Sequence, residues 1–227
     1  MRELKIEDAT PVLPSWIHGR AFLSLTSGFA EVRNVKGEVL RRTPLCGADE
    51  VAAAVAGAEA ALPAWSALPD GERQNFLIAW SAALEKYALH FAHLIAEETG
   101  VGEAAAGDEV AAAAVALRTG LQSATSVKNE AGKIAACVWN TPLALEVVIK
   151  RIAPILRAGG VIIVKPRAQS PGAVFALCEL SARVGIPAGV VNLVQGEDAV
   201  LAALAEHRNV RIVQGFQDTI QSPLQEK

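Results

Sequence analysis

The sequence predicts an α/β protein with a Rossmann-like parallel sheet of about four strands from residue 134 on, preceded by an N-terminal β-hairpin and a helical section. Three observations carry this expectation. The runs "KIAACVW", "GVIIVKP", "GVVNLVQG" and "NVRIVQG" are short and apolar without polar alternation, as in strands buried on both faces. Between them lie "PLALEVVIKRIAPILRAGG", "SPGAVFALCELSARVG" and "EDAVLAALAEH", which have the length and periodicity of crossover helices. Before residue 131 the pattern is instead helical and Ala-rich, and before residue 49 it is rich in β-formers and turns. The chain thus reads as a single domain in four parts: a β-rich segment over 1–48, a helical section over 49–130, a βαβ nucleotide-type core over 131–214 and a tail over 215–227.

In chain order, residues 16 to 45 read as short extended pieces. "FAEVRNVKGEVLRR" holds two β-rich runs around Lys36-Gly37, a tight hairpin turn. "GADEVAAAVAGAEAALPAW" is a helix with Asp49 as its expected N-cap and Pro63 as its expected break. "PDGERQNFLIAWSAALEKYALHFAHLIAEETG" continues as one or two amphipathic helices, stopped by Gly100. "EAAAGDEVAAAAVALRTGLQ" is a further helix, its alanines reflecting helix propensity.

Composition narrows the classes. The 227 residues, 52% hydrophobic, are enough for a sizeable core. A net charge of -3 with no basic block argues against nucleic acid as a partner. No window reaches the roughly 18 uninterrupted apolar residues of a membrane span, and the N-terminus lacks a signal-peptide pattern. The expected address is cytoplasmic. Cys46, Cys137 and Cys178 are far apart in apolar sequence, which reads as buried thiols, with no disulfide and no metal site expected.

In open parallel sheets, ligands bind at the carboxyl ends of strands, where helix N-termini turn N–H groups toward anions. That rule places Asn140 and Lys165, each just past a strand, in the region of a ligand.

The ordered series "WIHGR", "NVKGEVLRR", "VAAAVAGAEAALPAWSALPDGER", "AEETG", "VWNTPL", "ILRAGGVIIVKPRAQSP" and "GIPAGVVNLVQG" resembles the N-terminal, cofactor-binding half of the aldehyde dehydrogenase superfamily over most of the chain. The resemblance implies an NAD or NADP site. By it, Asn140 matches the amide that holds the oxyanion of the thiohemiacetal, Trp139 its neighbour in the cofactor cleft, and Lys165 the lysine of the adenosine ribose. An amide N–H is a fixed donor for developing negative charge, and an ammonium reaches ribose hydroxyls and phosphate.

Several positions depart from the family. Ala168 stands where a glutamate usually shares the ribose, and "VQGFQDT" stands where a Phe-Thr-Gly-Ser turn receives pyrophosphate, so the site is expected to be weakened or lost. The interval from Glu109 to Gly132 is short for the family's oligomerisation hairpin. No cysteine here aligns with the family's nucleophile, and the glutamate-bearing Leu-Gly-Gly segment is absent from the sequence. The catalytic set of this chain is therefore none.

Each residue also has a plainer reading. Asn140 is equally a helix N-cap ahead of Thr141-Pro142, and Lys165 an ordinary solvated charge. His90 and His93 lie on a helix face without further ligand types, and Trp16, Trp65, Trp80 and Trp139 are scattered as core residues are. Four functions stay open. The first is a non-catalytic pseudoenzyme, a structural or partner-binding module that docks a protein partner or forms a homo-oligomer. The others are the cofactor-binding component of a split NAD(P)-dependent aldehyde dehydrogenase, a nucleotide-binding module, and a gene fragment.

Overall fold

The structure is a computed structural model that describes residues 10–24, 28–119, 132–139 and 144–214. Its centre is a six-stranded sheet of β1 (Ser15–Ile17), β2 (Arg20–Phe22), β5 (Ile134–Val138), β6 (Val161–Lys165), β7 (Val191–Leu193) and β8 (Val210–Gln214), in the order β2-β1-β7-β6-β5-β8. The four strands expected from residue 134 on are parallel, with Val138 opposite both Lys165 and Gln214 at the carboxyl edge. β5 and β6 are buried at every residue, so both faces of the sheet are covered.

β1 pairs antiparallel with β7 and β2 antiparallel with β1, extending this sheet by an addition that periodicity did not reveal. The junction is specific. Ser15 Oγ accepts the Gln195 N–H at 3.0 Å, and the Asn192 carboxamide accepts the His18 N–H at 3.0 Å while donating to the Gly189 and Ile162 carbonyls. The expected hairpin is β3 (Phe29–Arg33) with β4 (Val39–Pro44), a separate two-stranded sheet whose turn is closed by Asn34.

The helical section comprises α1 (Ala48–Ala67), α2 (Asp70–Lys86), α3 (Ala88–Thr99) and α4 (Glu103–Thr119). Two expectations for α1 are corrected. Its N-cap is Gly47, whose N–H donates to the Glu50 carboxylate at 2.8 Å, and Asp49 lies inside the first turn. Pro63 lies within the helix and does not end it, because the turn beyond is anchored in the core: Trp65 is 1% exposed and donates its indole N–H to the Leu156 carbonyl at 3.0 Å. Gly100 does end α3, in the left-handed conformation with φ 76°, its N–H returning to the Ala96 carbonyl.

The crossover helices are α5 (Leu145–Arg157), α6 (Gly172–Arg183) and α7 (Asp198–Glu206). α1 packs on β5, β6, β7 and α7, while α5 and α6 lie between the sheet and the α2–α4 layer. Arg73 joins the layers at two helix C-termini, donating to the carbonyls of Arg157, Ser66 and Leu68. Among the described residues no single helix is long and apolar enough to cross a membrane; α1 and α2 meet length and composition together only as a pair bent by 117°.

Candidate functional site

At the carboxyl edge, the Trp139 N–H donates to the Lys165 carbonyl at 3.2 Å, extending the β5–β6 ladder by one bond. Trp139 and Lys165 are thereby brought together at adjacent strand ends. Asn140, Thr141 and Pro142 lie outside the described residues, as do the turn at Gly215-Thr219 and the interval 120–131.

Lys165 is not a solvated charge. The residue is 4% exposed, and among the described residues its ammonium makes no hydrogen bond or ion pair. Burial lowers its pKa from the usual lysine value, and Asp198 and then Glu197, at the start of α7, pull it back up. Its stem is buried, and its ammonium, which has no direct partner among the described residues, depends on the little solvent that reaches the strand end. It is the kind of group that a ribose hydroxyl or phosphate oxygen satisfies.

At two of the helix N-termini expected to present N–H groups to a ligand, the first N–H is taken by a carboxylate of the chain itself. The Gly172 N–H of α6 donates to both carboxylate oxygens of Glu98, at 3.1 and 3.0 Å, and the Leu145 N–H of α5 donates to Glu109. Both carboxylates come from the α3–α4 layer, so the chain supplies its own anion to each dipole. Glu98 also receives Arg41 of β4 at 2.7 Å, and Arg41 bridges to Glu97. Burial pushes Glu98 up to about 7 against the downward pull of Arg41 and the Gly172 N–H, with Glu97 adding to the rise. Burial likewise raises the Glu109 pKa, opposed by its bond from Leu145. The tertiary reach of these glutamates has no signature in sequence spacing.

Cys46, Cys137 and Cys178 are all buried, at 3%, 0% and 0% exposure, and none is in a disulfide. Burial pushes the thiols of Cys46 and Cys178 up, further from the reactive thiolate. Trp65 and Trp80 sit in the core with indole N–H groups on the carbonyls of Leu156 and Leu177, and Trp16 packs edge-on to Phe175. His90 and His93 are exposed on α3. Among the described residues no group of three His, Cys, Asp or Glu is placed to hold a metal ion.

A residue that the pattern did not single out is Arg167, two positions past Lys165. Its Nε is buried and has no hydrogen-bond partner. Ala168 follows it, half-buried, leaving no carboxylate at that point of the loop.

Comparison with known proteins identifies relatives over most of the chain. The model of the aldehyde dehydrogenase family matches residues 24–216. Succinate-semialdehyde dehydrogenase [NADP(+)] of Escherichia coli is 31% identical over 213 residues, covering 85% of this chain and 44% of that protein. Glutarate-semialdehyde dehydrogenase of Pseudomonas aeruginosa is 34% identical over 178 residues, 70% of this chain and 36% of that protein. Among solved structures, lactaldehyde dehydrogenase from Escherichia coli superposes with a TM-score of 0.80 at 27% identity, covering 90% of this chain and 47% of that one. The chain therefore spans less than half the length of the curated relatives it matches.

Proposed function

On the premise that this chain belongs to the aldehyde dehydrogenase family, we propose that it is a cofactor-holding module with no aldehyde chemistry of its own, which binds NAD or NADP at the β5 and β6 strand ends and works docked to another protein surface. The observation that carries the binding reading is Lys165, a lysine with a buried stem whose ammonium has no direct partner among the described residues, at the edge where ligands of parallel sheets sit. These residues fit a dinucleotide: Lys165 would hold the adenosine ribose or a phosphate oxygen, and Trp139 would flank the cleft. When bound, the nicotinamide supplies hydride acceptance.

The absence of chemistry rests on the thiols. Oxidation through a thiohemiacetal needs an accessible thiolate. Cys46, Cys137 and Cys178 are buried, and burial disfavours the thiolate of Cys46 and Cys178. The span by itself is non-catalytic, a pseudoenzyme in its own right, and its expected setting is cytoplasmic.

A second reading is favoured by β8. No strand pairs its outer edge among the described residues, and a parallel edge is a template for another strand. In that reading the module is the cofactor-binding part of a split NAD(P)-dependent aldehyde dehydrogenase, and a thiol-bearing polypeptide completes the sheet.

The test is calorimetric titration with NADP⁺ and NAD⁺ beside an assay of aldehyde oxidation. Saturation in the micromolar range, worth about 8 kcal/mol, with no turnover supports the module. Turnover by the isolated protein overturns it, and turnover only with added thiol-bearing partner selects the second reading.

A further inference from the structure

The β3–β4 hairpin is a sheet of its own, and one of its faces meets the body of the protein. Val32 and Arg41 are cross-strand partners, so their side chains share that face. Val32 is fully buried yet stands outside the main core cluster, so what covers it is the docking of the hairpin. Arg41 reaches the end of α3, where its guanidinium meets Glu98 at 2.7 Å and Glu97 beside it. At the hairpin turn Val35 lies over Gly100, where an added Cβ would stand 2.5 Å from Val35 Cγ1. The hairpin thus rests on the last turn of α3 and, through Glu98, on the first N–H of α6.

Glu98 is the point where these three elements meet. It faces the Arg41 guanidinium from β4, its neighbour Glu97 on α3 and the Gly172 N–H from α6. The charged side chains of α6, Glu179 and Arg183, pair with each other, and Glu31 of β3 takes Arg33 and Arg42. Oε1 accepts from both Arg41 and Gly172, whereas Oε2 accepts from Gly172 alone. A proton on Oε2 therefore leaves the Arg41 contact in place and removes the cost of a buried negative charge. Without that proton the carboxylate gains by reaching water, which the docked hairpin keeps from it: the Glu98 side chain is 2% exposed.

We propose that the hairpin is a flap latched by one proton, docked on α3 and α6 while Glu98 is neutral and released from them as Glu98 ionises. In the docked state burial pushes Glu98 up to about 7, and hydration in the released state returns it to the usual 4.5. The docked state therefore binds more protons. Docking is complete in acid, and its equilibrium constant falls by up to about tenfold per pH unit as pH rises past about 7. The latch does not depend on cofactor binding.

Val32→Cys places a thiol on the docked face, and the native Cys137 and Cys178, fully buried in the main core, report global opening in the same molecule. Labelling by a disulfide reagent is followed from about pH 6 to about pH 9 and divided by the rate of an unfolded cysteine peptide, which removes the intrinsic gain in thiolate. The thiol at position 32 is expected to label at least about tenfold faster than Cys137 and Cys178, as local opening precedes global unfolding. Its corrected rate is expected to rise by up to about tenfold per pH unit above about 7. Added to this protein, Glu98→Gln, which cannot ionise, should hold the corrected rate level across the range. Labelling no faster than Cys137 and Cys178, a corrected rate that is flat with pH while Glu98 is present, or a rise that persists in Glu98→Gln overturns the latch. Should Glu98→Gln fail to fold, the first two comparisons decide by themselves.

Discussion

Arg41→Met isolates the buried ion cluster that ties the β3–β4 hairpin to α3 and α6. In the wild type the Arg41 side chain is 11% exposed and the Glu98 side chain 2%, at 2.7 Å, so solvent screens the pair little. Glu98 titrates near 7, above an ordinary glutamate at 4.5. The folded state then binds more protons than the unfolded state between those values, and stability falls as pH rises through that window. Removing the guanidinium takes away the principal charge that lowers the Glu98 pKa, so the variant holds its proton to higher pH. Its deficit relative to wild type therefore grows by up to about 1.4 kcal/mol per pH unit above 7, until the variant also ionises. Urea unfolding of both proteins at about pH 5.5 and about pH 8 reads this directly, and the deficit is expected to be about 1 kcal/mol or more larger at the higher pH. A deficit that is the same at both, or larger in acid, would refute the assignment of Glu98 as a carboxylate held by Arg41.

Other outcomes follow from the same packing. Arg73→Met strips the donor from three carbonyls at the ends of α1 and α5, and the urea midpoint should drop by the equivalent of about 3 kcal/mol. Gly189→Ala forces a side chain onto the Gly57 carbonyl at φ 88°, and should cost more than about 2 kcal/mol in the same assay. Lys165→Met removes a desolvated charge, so it should raise the thermal midpoint by the equivalent of about 1 kcal/mol while weakening nucleotide binding. A thiol-reactive dye should label none of the three cysteines in the native protein and all three in denaturant.

The parallel sheet was legible because β5 is apolar at every position and β6 is apolar up to Lys165 at its end, a pattern that survives whatever packs on them. The hairpin was legible because Asn34 and Gly37 write their turn locally. What escaped is tertiary. β1 joins β7 through Ser15, His18, Asn192 and Gln195, contacts that span more than 170 positions and leave no local period. Pro63 looked like a break because the Trp65 anchor on Leu156 is not encoded nearby. Lys165 was placed correctly at a strand end, yet its burial depends on the elements packed around it, including α7. Nothing in the local spacing of Glu98 and Glu109 indicates that the fold aims them at the N-termini of α6 and α5.

The central claim is that a nicotinamide dinucleotide binds this chain at Lys165 without being turned over. Its most direct test is calorimetric titration of wild type and Lys165→Met with NADP⁺, in the presence and absence of an aldehyde. The account predicts saturable binding by the wild type, at least ~tenfold weaker binding by the variant, and no reduced cofactor in either case. Equal binding by both proteins, or reduced cofactor appearing with the wild type alone in solution, would contradict it.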